Sequence, residues 1–292
     1  GYIGHRNVTD VLVKGLQSLE YRGYDSAGIA VINYPDEEQT LRTPAVHIVK
    51  GVGKVAELKS MLAAHPVSGH QGIGHTRWAT HGGVTETNAH PHADLSSRLV
   101  LVHNGIVENY RELRAELPVP EEQYKSETDT EVIAQLLSAL YTGGGAQDMI
   151  NALVALHGRL RGSFALVIMV KDIPGKIYCL RKGSPLVVGF SEEGEALCAS
   201  DVPAILPYTQ DVVYLDDGDI AELSAEGMRF WSAAGESLEK SEVHIDWDVS
   251  MVDKGGYSHY MLKEINEQGA VLRSSMARRL SGGRQRLGLA QL

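Results

Sequence analysis

Three short stretches carry side chains that could pair with a small carboxylate, receive a developing oxyanion or accept from an ammonium. In Gly74-His75-Thr76-Arg77-Trp78-Ala79-Thr80-His81-Gly82, Arg77 offers a fork of donors that fits a carboxylate, and Trp78 offers apolar area that excludes water. The same residues would serve a structural ion pair and ordinary packing. His103-Asn104-Gly105-Ile106 sets an amide beside a permissive backbone. The Asn104 amide and the Gly105 N–H can receive a developing oxyanion if both face one cleft; the alternative is a polar turn between strand and helix. Ser126-Glu127-Thr128-Asp129-Thr130-Glu131 places three carboxylates at a predicted helix start, where free N–H groups favour them. Asp129 either belongs to that cap or accepts from a substrate ammonium.

Other clusters point to less. His90-Pro91-His92 lacks a third ligand at informative spacing, and no oxygen-rich loop surrounds the carboxylates, so no metal is expected. His90 reads as a support for the neighbouring loop or as packing; His75 and His81 share that ambiguity. No serine, histidine and acid spacing marks a triad, and the glycine clusters match neither a dinucleotide nor a phosphate-binding pattern. Cys179 and Cys198 lie in apolar contexts and are expected to be buried thiols. Arg181-Lys182-Gly183-Ser184-Pro185-Leu186 is either an anion-facing corner or a solvated turn.

The elements that must position these residues alternate helix and strand. Asn7 caps a helix whose Val8, Val11, Leu12, Leu16 and Leu19 recur at helical spacing. Residues 27–32, 46–49, 72–77 and 99–103 read as strands, 55–64 as a helix, and 34–45 as an exposed hairpin or loop. The polar, glycine- and proline-punctuated interval 78–98 is a candidate functional loop. Helices are predicted over about 106–116, 129–141 and 147–157, the second capped by Thr128 or Asp129. Short strands follow at 163–170, 176–181, 186–189, 196–200, 212–215 and 219–223. This order fits two layers of sheet covered by helices. Residues 241–260 read as an extended connector, 261–276 as a helix, and 278–286 as an exposed basic linker.

The 292 residues suffice for one large domain or two small ones, and 43% hydrophobic content supports a sizeable core. A net charge of -10 disfavours a general polyanion-binding surface, so no nucleic acid is expected. No run approaches the ~18 apolar residues of a membrane span, and a cytoplasmic location is the default.

Four stretches occur together in one order: Glu20-Tyr21-Arg22-Gly23-Tyr24-Asp25-Ser26-Ala27-Gly28, Thr76-Arg77-Trp78-Ala79-Thr80-His81-Gly82, His103-Asn104-Gly105 and Ser126-Glu127-Thr128-Asp129-Thr130-Glu131. In this the chain resembles the glutaminase domains of the glutamine–fructose-6-phosphate aminotransferase family, among class II glutamine amidotransferases. The resemblance extends from Gly1 to about Glu267. It implies a four-layer αββα N-terminal-nucleophile hydrolase fold of class α+β, with a glutaminase core over 1–240. Residues 241–292 would form a connector and helix leading toward a sugar-isomerase domain that binds fructose 6-phosphate. It further implies hydrolysis of glutamine to glutamate and ammonia, supplying nitrogen for glucosamine-6-phosphate synthesis in a homodimeric full-length enzyme, with no cofactor.

The nucleophile implied by the resemblance is a first-residue cysteine whose own α-amino group is the general base. The family start looks like Cys-Gly-Ile-Val followed by the Gly-Tyr-Ile-Gly present here, which sets four residues before Gly1. By the same resemblance Arg77 pairs with the glutamine α-carboxylate, Asp129 with its α-ammonium, and Asn104 and Gly105 form the oxyanion hole. Trp78 and its loop close on glutamine or gate ammonia transfer, Thr80, His81 and Gly82 belong to that glutamine-covering loop, Arg22 organises the nucleophile-bearing end, and His90 is a neighbouring support. The alternative is a catalytically inactive glutamine-binding or regulatory module. Gly269 stands where a proline often follows Glu-Gln in the family.

Overall fold

The computed structural model describes residues 1–33, 44–78, 82–246, 257 and 260–279. The expected loop over 34–45 falls almost wholly outside them, as do Thr80, His81, most of the 247–259 connector and the basic stretch beyond Arg279. The chain divides into two compact units, Gly1–Asp246 and Trp247–Leu292.

The first unit begins with β1 (Tyr2–Ile3) and α1 (Val8–Leu19), then β2 (Ser26–Asn33), β3 (Ala45–Val52), α2 (Val55–Ala64) and β4 (Gln71–Arg77). There follow β5 (His92–Ala93), β6 (Leu99–Val107), α3 (Tyr110–Glu116), α4 (Asp129–Leu140) and α5 (Ala146–Arg159). The remaining strands are β7 (Gly162–Val170), β8 (Ile177–Lys182), β9 (Val187–Phe190), β10 (Ala196–Ala199), β11 (Asp211–Tyr214), β12 (Ile220–Ser224), β13 (Gly227–Trp231), β14 (Ser237–Leu238) and β15 (Val243–His244). In the second unit α6 spans Tyr260–Arg279.

Two antiparallel sheets result. One has eight strands in the order β15-β11-β9-β10-β1-β4-β2-β3, the other seven in the order β14-β13-β12-β8-β7-β6-β5. Alternation along β4 and β7 turns Ile73, Ala165, Val167 and Met169 into the layer between the sheets, with Ile3, Val102, Cys179 and Cys198. The opposite face of the seven-stranded sheet packs Leu101, Leu166 and Ile168 against Val132, Ile133, Leu136, Met149 and Leu153 from α4 and α5. Val11, Leu12 and Leu16 of α1 are buried as their helical spacing requires. Each such side chain contributes about 1.5–3 kcal/mol of burial. This is the expected αββα layering. Both cysteines are buried and free, and burial raises the Cys179 thiol above its ordinary range.

Three details differ from expectation. β6 does not stop at His103 but pairs with β7 through Val107↔Gly162, and α3 starts at Tyr110 rather than near 106. The side chain of Asn109 explains the later start: it accepts from Arg161 N and donates to Arg159 O, each at 2.9 Å, holding the strand end beside the start of β7. β13, β14 and β15 also lack a sequence prediction; they are short, and β13 carries a single buried apolar residue, Phe230. No helix among the described residues is long and apolar enough to cross a membrane.

Candidate active site

The three stretches converge on one cavity of about 470 Å³. Arg77 and Trp78 reach it from the end of β4, Asn104 and Gly105 from β6, and Asp129 from the first turn of α4; His90 also lines it. Apolar residues also line it, among them Leu12, Leu16, Val167, Leu197 and Ile205.

Asp129 is fixed by the helix start. Thr128 caps α4 by accepting from Glu131 N, while the Glu131 carboxylate accepts from Ser126 N at 2.6 Å. One Asp129 oxygen accepts from Val107 N at 2.9 Å and the other from the Thr130 hydroxyl at 3.3 Å. The cap and the ligand readings of this stretch are therefore compatible: Thr128 and Glu131 supply the cap, and Asp129 lines the cavity.

Arg77 is 4% exposed although charged. It donates to Gly83 O at 3.2 Å, and Asp25 and Asp129 lie near enough to favour its charge against the cost of burial. Asn104 and Gly105 are not in a turn; they sit within the β6–β7 ladder opposite Ala165 and Phe164. Gly105 adopts φ +131°, and a Cβ there would meet Ser163 O at 2.0 Å, so only glycine fits.

Behind these residues lies a group of histidines that the sequence did not single out as a unit. The rings of His75 and His90 stack at 4.2 Å, and His92 meets His90 edge-on at 5.0 Å. The Thr130 hydroxyl lies 3.2 Å from His90 Nε2 and 3.1 Å from His103 Nδ1. His75 Nε2 lies 2.8 Å from the Asn104 side-chain oxygen. Burial pushes the His75 imidazole down to about 4 and holds His90 and His92 well below the usual histidine range, neighbouring positive groups adding to the effect. These imidazoles are neutral at pH 7. Single histidines scattered over β4, β6 and the segment leading into β5 carry no periodic signal, so only their shared burial exposes the group.

The loop side of the cavity is built differently. Trp78 is 66% exposed, and its ring lies over Gly23, where a Cβ would sit 2.1 Å from the ring. Gly82 does not line the cavity; it packs near Asn88 and Glu127, whose carboxylate accepts from Gly83 N and Asn88 Nδ2. Those bonds hold the Glu127 carboxyl below its ordinary range. Lys50 secures the following segment by donating to Ala89 O and Pro91 O at 2.6 and 3.1 Å, and its burial pushes the ammonium down to about 8. Thr80 and His81 lie outside the described residues, and for Arg22 only the backbone, in a short 3-10 turn, is described. Among the described residues, His5, Glu193 and Glu195 form the one grouping with metal-ligand spacing, and there Arg6 already supplies the positive charge, bonding Glu195 at 2.9 Å and Glu193 at 2.7 Å.

Residues 62–238 match a family described as a glutamine amidotransferase domain. The chain is 44% identical over 283 residues to the glutamine–fructose-6-phosphate aminotransferase (isomerizing) of Clostridium acetobutylicum, a match covering 97% of this chain and 44% of that protein. It is 47% identical over 293 residues to a protein of the same name from Thermus thermophilus, covering 99% and 46%. The chain thus spans somewhat under half the length of these relatives. A solved structure of the allosteric regulatory enzyme of purine biosynthesis superposes with a TM-score of 0.63 at 26% identity, covering 80% of this chain and 48% of that one. Glutamine phosphoribosylpyrophosphate amidotransferase from B. subtilis superposes with a TM-score of 0.62 at 24% identity over the same shares, a likeness of fold.

Proposed function

Because the chain belongs to the glutamine amidotransferase domain family, as a class II glutaminase domain related to glutamine–fructose-6-phosphate aminotransferase, we propose that its cavity hydrolyses the glutamine side-chain amide. The observation that carries this reading is the meeting of Arg77, Asn104, Gly105 and Asp129, from three separate segments, around one cavity. Arg77 would pair with the α-carboxylate and Asp129 with the α-ammonium, leaving the amide end of the substrate toward Asn104 and Gly105. Trp78 and the loop through Gly82 would cover the ligand, with Thr80 and His81 part of that cover; Arg22 would organise the nucleophile-bearing end and His90 would brace the cavity floor.

The nucleophile in this scheme is a cysteine thiol four residues ahead of Gly1. The register of β1 supports that position. Tyr2 pairs with Gly72 and Ile3 with Gln71, so a strand continued in this register ahead of Gly1 would run opposite Gly74, His75 and Thr76 and would bring the fourth preceding residue beside Arg77. The apolar residues Leu12, Leu16 and Ile205 on the α1 side would suit the Val of such a segment, and the Ile would turn to the opposite face, toward the layer that holds Val167.

The thiol sulfur attacks the amide carbon as the cysteine's own amine takes the thiol proton, and the oxyanion forms against the Asn104 amide and Gly105 N–H. That proton then goes to the departing nitrogen as the C–N bond breaks, releasing ammonia and a thioester. Water, deprotonated by the same amine, attacks the thioester to give glutamate and the free thiol. By analogy with the longer relatives, the ammonia would pass to fructose 6-phosphate on a sugar-isomerase domain of a cytoplasmic, homodimeric enzyme making glucosamine 6-phosphate, with residues 241–292 as the connector.

A diazoketone analogue of glutamine, added to the full-length protein, tests the scheme. Mass spectrometry should find the adduct on an N-terminal cysteine with loss of glutaminase activity. Binding without turnover or adduct would instead favour an inactive glutamine-binding module.

A further inference from the structure

His75 and Asn104 belong to different sheets, yet their side chains meet at 2.8 Å across the edge of the cavity. His75 shares a face of β4 with Arg77, two residues along, and both are buried while Thr76 between them is only half-buried. The imidazole is also held by stacking on His90 at 4.2 Å. A carboxamide has one acceptor end and one donor end. With its oxygen bonded to His75 Nε2–H, the Asn104 NH2 is directed away from His75 toward the cavity; turned the other way, it would present an oxygen to a developing negative charge.

We propose that His75 is a positioning residue for amide hydrolysis, fixing the Asn104 carboxamide so that its NH2 rather than its oxygen faces the reacting carbonyl. This rests on the glutaminase reading of the cavity and adds a residue to it. Because Arg77 lies on the same strand, the bond also couples the group that would hold the α-carboxylate to the group that would receive the oxyanion. His75 touches no reacting atom; it acts through Asn104. A neutral imidazole carrying its hydrogen on Nε2 is required, and burial keeps the ring neutral.

The test uses the full-length protein and two substitutions. His75→Phe keeps a ring against His90 and removes the donor; His75→Gln places an amide N–H close to the position of Nε2. His75→Phe is expected to lower kcat about 10- to 100-fold, less than the ~10²–10³-fold of losing an oxyanion donor outright, with the KM for glutamine within about threefold of wild type. His75→Gln should recover kcat to within about fivefold. A rise in KM without loss of kcat, or a His75→Gln enzyme as slow as His75→Phe, would overturn the assignment. So would nitrogen NMR of the wild-type protein showing the His75 hydrogen on Nδ1. Failure of the underlying reading looks different: wild-type protein would release no glutamate, or Asp129→Ala would leave the KM for glutamine unchanged.

Discussion

Arg77 and Trp78 are neighbours in the chain, yet Arg77 is 4% exposed and Trp78 66%, and the contrast extends around the cavity. Arg77, Asn104, Gly105 and Asp129 are carried on strands and a capped helix, with ladder bonds on β4 and β6 and the Val107 N–H on the Asp129 carboxylate. The loop wall has thinner support: Trp78 rests on Gly23, and Gly83 is tied to Glu127. Charge recognition needs fixed geometry, because a misplaced donor loses most of its value, whereas a cover must admit and release its ligand. Regular structure therefore carries the proposed recognition groups, and irregular backbone carries the proposed cover.

Substitutions can break this contrast, and the strand side should give the larger effects. Gly105→Ala forces a Cβ into Ser163 O at a φ of +131°; a loss of about 3 kcal/mol or more in urea unfolding is expected, with activity lost as the β6–β7 ladder shifts. Asp129→Ala removes both the proposed ammonium partner and the acceptor for Val107 N. The expected result is a fall of about 100-fold or more in kcat/KM, mostly through KM, with about 1–3 kcal/mol lost in stability. An unchanged kcat/KM would remove Asp129 from the site.

Acid should find the strand side too. His75 is pushed down to about 4 by burial and packs against His90, with His103, Arg77 and Asn104 around it. The unfolded chain protonates this histidine near its ordinary value of about 6.5, so its contribution to stability is fully present above that pH and is lost as pH falls toward 4. The expected loss is on the order of 3 kcal/mol, with His90 and His92 acting in the same direction. Thermal unfolding from pH 7 to pH 4 should show a smaller decline in His75→Gln than in wild type.

The loop side should respond least in stability. Trp78→Ala removes a mostly exposed ring, so unfolding should change by less than about 1 kcal/mol while kcat/KM falls about 10-fold through weaker cover. A stability loss as large as that of Asp129→Ala would erase the distinction between the two walls.

Much of this construction was legible in the residues. The acidic Ser126–Glu131 stretch ahead of an apolar helical period marked the start of α4, and the continuous apolar run of 163–170 marked a core strand. Asn104-Gly105 was harder to place: a polar residue beside glycine suggests a turn, yet a glycine with positive φ can lie inside a ladder where a neighbouring carbonyl approaches too closely for any side chain. The roles given to Arg77, Asp129, Asn104 and Gly105 came from family resemblance; the residues alone favoured ion pair, cap and turn. The histidine group was invisible because its members come from β4, β6 and the segment around β5, and only the stacking of the sheets brings them together.

The most direct test is a crystal structure of the full-length protein with L-glutamate bound. The expected pose has the α-carboxylate on Arg77, the α-ammonium on Asp129, and the side-chain carboxylate within hydrogen-bond distance of Asn104 Nδ2 and Gly105 N. Glutamate bound elsewhere, or bound in this cavity with Arg77 and Asp129 remote from its α-groups, would contradict the assignment.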